Sequence, residues 1–251
     1  MIVLKSPREI ALMRQAGQVV VAAMRMCRDL VKPGISSLEI DQEVEALIRE
    51  RGAKPAFKGY RGFPATVCVS INEEVVHGIP AAHRRLKEGD IVGLDFGAIV
   101  EGYYGDAAIT VPVGEISQDV QRLLDVTRES LDLAIAVARP GNRLGDISAT
   151  VQRHVEAAGF GVVRAFVGHG IGRELHEDPQ IPNFGEPRKG PPLRPGMVLA
   201  IEPMVTMGHW DVRVLPDRWT AVTGDGSLAA HFEHTVAITD SGPDVLTREV
   251  A

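Results

Sequence analysis

The sequence predicts an α+β fold in which two similar α/β halves share a central antiparallel sheet covered by helices. Three observations predict it: helix signals precede strand signals in the first half, the same order returns after residue 116, and a fixed shift brings segments of the two halves into register. With 251 residues, 45% of them hydrophobic, the chain can build one catalytic domain, 1–251, with halves of approximately 1–115 and 116–251.

Two helices are predicted at the start of the chain, each marked by a capping box. Ser6 and Glu9 have the spacing of an N-cap serine and the acid that bonds back to it, and the first helix runs to Pro33-Gly34. Ser36 and Glu39 repeat this spacing, so a second helix follows and ends at Gly52.

Strands are predicted next, and then the order repeats. Apolar and β-branched residues predict strands at 65–72, 91–100 and 103–113, the last two joined by a turn at Glu101-Gly102. Helices are predicted at 117–138 and from about 146 to 158, and strands and loops after 162. This alternation supports a duplicated architecture.

The duplication is visible as two shifts that align acidic residues. A shift of 107 places Lys32-Pro33-Gly34 on Arg139-Pro140-Gly141 and Asp95 on Glu202. A shift of 127 places the segment 103–111 on 230–238, and with it Asp106 on Glu233. Both shifts therefore pair a carboxylate of one half with a carboxylate of the other.

Composition excludes several classes of function. The 27 basic and 33 acidic residues give a net charge of −6, and aromatics are only 5%, so no surface suited to DNA is expected. The basic run Arg84-Arg85-Leu86-Lys87 leaves room for a transient ribosome contact. Cys27 and Cys68 alone make no disulfide framework, which fits a cytoplasmic location, and no apolar stretch approaches the roughly 18 residues of a membrane span.

The four paired acids predict a metal centre. Each lies in a strand-like, mostly apolar segment, and four buried carboxylates would repel one another unless cations neutralise them. Two divalent ions balance their charge. His169, set between Gly168 and Gly170, offers an imidazole, and oxygen ligands with one imidazole suit cobalt, manganese, iron(II) or zinc.

Simpler interpretations exist for each residue alone. A single acid is usually solvated or capping, and the glycines around His169 could indicate a phosphate loop, but they lack the spacing and the lysine of one. Cys68 has no protease signature around it. His231 and His234 stay unassigned, although they are close to Glu233.

Across nearly the whole chain these residues resemble type I methionine aminopeptidases, the short bacterial form with the pita-bread fold. The resemblance rests on the segments Leu94–Gly97, Tyr104–Asp106, Gly168–Gly172, Ile201–Met204 and Phe232–Thr235. It implies five metal ligands: Asp95, Asp106, His169, Glu202 and Glu233.

The resemblance also implies catalytic and substrate-binding residues. His77 and His176 would lie over the scissile peptide, and Glu202 would carry a proton from water to the leaving amine. The residues implied for the methionine pocket are Tyr60, Phe63, Cys68, His77, His176 and Trp219, with Phe57 and Leu175 at two further positions.

The implied function is that of a cytoplasmic, monomeric metal-dependent hydrolase that removes N-terminal methionine from peptides and nascent proteins, using two divalent metal ions. A proline-directed aminopeptidase or prolidase would share the metal core, but those enzymes carry an extra N-terminal domain, and the first helix here already begins at Ser6. A non-catalytic pita-bread binding protein is the other alternative, and such proteins lack the ligands.

Overall fold

The structure is a computed structural model that describes residues 1–248. The helices are α1 (Pro7–Leu30), α2 (Ser37–Glu50), α3 (Gln118–Val137) and α4 (Leu144–Ala157). The strands are β1 (Lys54–Pro55), β2 (Val67–Ile71), β3 (Glu74–Val76), β4 (Ile91–Val100), β5 (Tyr103–Pro112), β6 (Gly161–Val162), β7 (Gly168–Gly170), β8 (Glu177–Ile181), β9 (Val198–Ile201), β10 (Met204–Thr206), β11 (Val212–Val214), β12 (Ala221–Thr223), β13 (Ala229–His231), β14 (His234–Thr239) and β15 (Gly242–Val245).

Both predicted capping boxes are present. The hydroxyl of Ser36 accepts the backbone N–H of Glu39 at 3.2 Å, and the Glu39 carboxylate accepts the backbone N–H of Ser36 at 2.8 Å. Ser6 and Glu9 form the same pair at the start of α1. Because these bonds satisfy N–H groups that the helix itself leaves free, they fix where each helix begins.

The predicted start of the fourth helix at about 146 is wrong by two residues. The helix begins at Leu144, because the Asp146 carboxylate reaches back to accept the backbone N–H of Arg143 at 2.7 Å. Asp146 therefore closes the first turn from within the helix and does not precede it.

The duplication predicted from the sequence is present in the structure. The shift of 107 maps α2 onto α4 and β1 onto β6 residue for residue. It also maps the isolated bridge between Ser36 and Arg85 onto the bridge between Arg143 and Pro192. Both halves therefore begin with two helices followed by strands, within one α+β fold.

The two halves meet through their sheets. Within residues 1–248 the strands form antiparallel sheets, of which the larger two are β1-β4-β2 with β5 on β4, and β15-β14-β9-β7-β8. Two three-stranded sheets, β13-β10-β6 and β11-β12-β3, flank them. The backbone N–H of Glu233 donates to the carbonyl of Ala108 at 2.9 Å, and the N–H of Ala108 donates back at 3.4 Å. This contact brings the acid-bearing segments of both halves side by side.

The helices cover the sheets on the face opposite the acids. Helix α1 packs on β4 and β5, while α3 and α4 pack on each other and over the strands of the second half. A Cβ atom added at Gly105 would lie 2.6 Å from the backbone nitrogen of Gly17, so α1 and β5 touch backbone to backbone. In the described part of the chain, no helix combines the length and apolar character that crossing a bilayer requires.

We predict that Gly105→Ala destabilises the fold, because the new methyl group would overlap the α1 backbone, which cannot rotate away as a side chain can. Overpacking of this kind costs about 1–3 kcal/mol of unfolding free energy. Urea denaturation of the purified variant measures the loss.

Gly93→Ala is the matched control, since Gly93 is in the same hairpin and its added Cβ would find its nearest neighbour, the Ser70 Cβ, at 3.6 Å. Its unfolding free energy should stay within about 0.5 kcal/mol of that of the parent. Equal losses in both variants would contradict the close helix–strand contact.

Candidate metal centre

Asp95 and Asp106 are brought together by the register of the β4–β5 hairpin. Asp106 is paired with Gly97, and Asp95 is paired with Ala108. Because side chains alternate between the faces of a strand, both carboxylates project from the same face as diagonal neighbours. Gly97 lies on the same face, and a Cβ atom added there would lie 2.6 Å from Phe57 Cε1, so a side chain closely approaches the β4 backbone at this position.

The second half supplies the other three predicted ligands. His169 is on β7, Glu202 directly follows β9, and Glu233 directly precedes β14. The Nε2 atom of His169 is 3.4 Å from Glu202 Oε1 and 3.9 Å from Asp106 Oδ2. One ligand atom each from Asp106, His169 and Glu233 lie within 4.8 Å of one another, a spacing that could hold a metal ion.

Hydrogen bonds behind the acids fix their backbones. The Thr235 hydroxyl donates to the Asp106 carbonyl at 2.7 Å and accepts the Asp106 N–H at 3.0 Å. The Asn183 amide donates to the Glu202 carbonyl at 2.9 Å. His169 Nδ1 is 2.9 Å from the Gly170 carbonyl, which requires a proton on Nδ1 and leaves the Nε2 lone pair facing the acids.

The acids carry too much negative charge for their surroundings. Burial raises the pKa of Asp95 to about 7. Burial, and then repulsion from neighbouring carboxylates, raises the pKa values of Asp106, Glu202 and Glu233 well above their usual range. Three buried oxygens, Asp95 Oδ1, Asp106 Oδ1 and Glu233 Oε1, have no hydrogen-bond partner among residues 1–248.

This donor set fits divalent cations. A cation would remove the repulsion and give the unpartnered oxygens a partner. Carboxylate oxygens with one neutral imidazole suit manganese, iron(II), cobalt or zinc better than a metal that demands thiolates.

A cavity of about 180 Å³ adjoins the acids. The five predicted ligands line this cavity. All the residues predicted for the pocket line it as well: Phe57, Tyr60, Phe63, Cys68, His77, Leu175, His176 and Trp219. Its wall is largely aromatic, with the Phe63 ring edge-on to Trp219 at 5.1 Å between centroids. Burial raises the pKa of the Cys68 thiol, which makes it a poor nucleophile.

His176 and His77 approach the cavity from different sides. His176 Nδ1 is 2.8 Å from the Tyr60 hydroxyl, and its ring is 4.2 Å from that of His169 between centroids. His77 stands edge-on to Phe166 and Trp219, and burial lowers its pKa to about 4. His77 has a positive φ of 61°, a conformation that non-glycine residues adopt rarely and mostly where function requires it.

Glu177 holds the loop that carries His176 through hydrogen bonds and an ion pair. One oxygen of Glu177 accepts the backbone N–H groups of Arg173 at 2.9 Å and Glu174 at 3.3 Å. The other binds the ammonium group of Lys5, whose side chain is buried. The N-terminal segment therefore helps to hold His176 in place.

Several residues that line the cavity were not predicted from the sequence, among them His231 and Phe166. His231 was left unassigned, yet it lines the cavity beside Glu202 and Glu233. Its spacing of two residues from Glu233 was the available signal, because residues two apart in an extended chain share a face. Phe166 also lines the cavity, and nothing in its local sequence indicates this.

Comparison with known proteins finds similar chains among methionine aminopeptidases. The curated methionine aminopeptidase 1 of Bacillus subtilis (strain 168) is 55% identical to this chain, over 99% of this chain and 100% of the relative. The crystal structure of methionine aminopeptidase from Thermotoga maritima matches with a TM-score of 0.98 and 53% identity, covering 99% of this chain and 100% of that one.

A prolidase from Pyrococcus furiosus shares the fold with a TM-score of 0.79 but only 24% identity, and the match covers 99% of this chain and 66% of that one. The model of metallopeptidase family M24 matches residues 11–240. A cluster of buried acids and an imidazole that fits divalent metal is what a metallopeptidase needs, and this chain belongs to family M24.

Proposed function

We propose that this chain is a metal-dependent aminopeptidase that removes N-terminal methionine from peptides and nascent proteins. The observation that carries the proposal is the placement of the acid cluster at the inner wall of a cavity lined by aromatic residues. The B. subtilis and T. maritima relatives, both methionine aminopeptidases, support the same activity.

In this proposal Asp95, Asp106, His169, Glu202 and Glu233 hold two divalent metal ions, of cobalt, manganese, iron(II) or zinc. Four carboxylates are balanced by two such ions, and Asp106, His169 and Glu233 each offer one ligand atom in a closely spaced group. When bound, the ions supply Lewis acidity for the attack of water on the scissile carbonyl.

The protein groups then orient the peptide and move protons. One oxygen of Glu202, Oε2, faces away from His169 and is 3.9 Å from His231. This carboxylate is placed to accept the proton of the attacking water and to pass it to the leaving amine. His77 and His176 donate hydrogen bonds to the peptide and to the developing oxyanion. Tyr60 holds the His176 ring through the 2.8 Å contact.

The cavity wall supports selectivity for methionine. Tyr60, Phe63, Cys68 and Trp219 present aromatic faces and a small sulfur group to a substrate side chain. Thioether contacts with aromatic rings contribute about 0.3–1.5 kcal/mol each, and a flexible unbranched side chain fits a narrow slot.

The cytoplasmic, monomeric state and the transient ribosome contact remain part of the proposal. Within the basic run, Arg84 binds the Glu74 carboxylate and Arg85 donates to the Gly34 carbonyl at 2.7 Å. Arg85 also has an exposed side chain, 3.6 Å from the Glu39 carboxylate. A contact with ribosomal RNA in this region would therefore depend on Arg85 and Lys87.

We predict that the chelated protein hydrolyses Met-Ala-Ser only after divalent metal is added back, because uncompensated carboxylates cannot activate water. Leu-Ala-Ser and Ala-Pro should be cleaved much more slowly, since the cavity suits an unbranched thioether. Initial rates with each metal and peptide measure this. Faster cleavage of Ala-Pro would favour a prolidase activity and contradict the methionine assignment.

We predict that Asp106→Ala and Glu202→Ala each abolish measurable turnover, a loss of about 100-fold or more, because each removes a ligand and Glu202 also carries the proton. The rate with Met-Ala-Ser and the bound metal measured by atomic emission test this.

Glu73→Ala is the control for these variants, because Glu73 is exposed and its side chain makes no hydrogen bond or ion pair among residues 1–248. It should keep the parent rate. A near-normal rate in Asp106→Ala or Glu202→Ala would refute the ligand assignment.

A further inference from the structure

His231 is a buried imidazole that the five-ligand assignment does not use. Only 4% of the residue is exposed, and its Nε2 atom has no hydrogen-bond partner in the described chain. Carboxylate oxygens of two proposed ligands face it, Glu202 Oε2 at 3.9 Å and Glu233 Oε2 at 4.0 Å. A buried nitrogen aimed at two acids requires an explanation.

The arrangement differs from that of a metal-binding histidine. Histidines that bind metal almost always donate their other ring N–H to an oxygen, which fixes the tautomer. His169 has this contact, from Nδ1 to the Gly170 carbonyl at 2.9 Å. No hydrogen bond reaches His231 Nδ1 among residues 1–248, so nothing holds the proton on that atom, and an N–H at Nε2 faces the acids favourably.

Glu202 divides its two oxygens between the two imidazoles. Oε1 faces His169 Nε2 at 3.4 Å, on the side of the other ligands, and Oε2 faces His231 Nε2 at 3.9 Å. The His231 contact therefore does not compete for the oxygen closest to His169. It acts on the opposite oxygen and so on the orientation of the whole carboxylate.

The backbone of His231 is fixed. The Thr110 hydroxyl donates to the His231 carbonyl at 2.8 Å and accepts the His231 N–H at 2.9 Å. The residue also pairs with Met204 in the antiparallel β13–β10 ladder. A ring on such a support can orient a neighbouring carboxylate instead of moving with it.

We propose that His231 is a positioning residue of the metal centre. Its Nε2–H attracts the Oε2 atoms of Glu202 and Glu233 and so orients both carboxylates for metal binding. At 3.9 and 4.0 Å the contact is a charge–dipole attraction, which is strong where water is excluded. The inference rests on the proposed metal-dependent function.

The test compares His231→Leu, which removes the donor but keeps a similar bulk, with His231→Gln, which keeps an N–H donor. Cobalt(II) is titrated into the chelated proteins and followed by calorimetry and by its visible absorption spectrum. We expect His231→Leu to weaken cobalt binding by about 10-fold or more and to alter the spectrum. The cobalt affinity of His231→Gln should stay within about threefold of that of the parent, since the glutamine amide can face the same oxygens.

His154→Leu is the matched control. His154 Nε2 is also a buried nitrogen facing a glutamate, Glu129 Oε2 at 3.3 Å, but it is on α4 and outside the cavity wall. Its cobalt affinity and spectrum should equal those of the parent. Thermal unfolding of the metal-free proteins shows whether each variant is folded. If His231→Leu does not fold, His231→Gln keeps the test valid.

Two results would overturn the inference. Parent-like cobalt binding by His231→Leu would show that the ring does not act on the acids. If His231→Gln binds cobalt as weakly as His231→Leu, the imidazole itself is needed, as it would be if it were a ligand. Failure of the parent protein to bind cobalt would instead refute the metal centre, so the two failures are distinguishable.

Discussion

The mutual repulsion of buried carboxylates is the constraint on which the rest of the structure depends. Asp95, Asp106, Glu202 and Glu233 are drawn from both halves into a buried space, and their pKa values rise chiefly because burial disfavours the ionised forms. Repulsion from neighbouring carboxylates raises the pKa values of Asp106, Glu202 and Glu233 further. Such a cluster lowers the stability of a folded protein unless cations bind it. In the proposed function, metal binding would stabilise this interior, and the same ions would supply the chemistry.

The fold restrains this repulsion by backbone contacts between the halves. Thr235 bonds the backbone of Asp106, Thr110 bonds that of His231, and Ala108 exchanges hydrogen bonds with Glu233. The links join β5 of the first half to β13, to Glu233 and to β14 of the second. The acids cannot move apart without breaking these bonds, so the spacing of the ligand atoms is set by the sheets.

Local patterns predicted most of the fold and the acids that the structure brings together. The capping boxes at Ser6 and Ser36 lie within four residues of sequence, and the acids follow apolar strands at a repeated shift. The start of α4 differed because the Asp146 side chain caps from inside the first turn. His231 and Phe166 were missed for another reason: their places in the site depend on which strands become neighbours, and sequence distance does not show this.

The division of the proposed ligands between two duplicated halves has a consequence for translation. The first half carries Asp95 and Asp106, and His169, Glu202 and Glu233 follow only in the second. A prematurely terminated product thus holds two acids without the imidazole or the opposing carboxylates, and it cannot cleave peptides. Catalytic competence begins only when both halves have been synthesised and have docked.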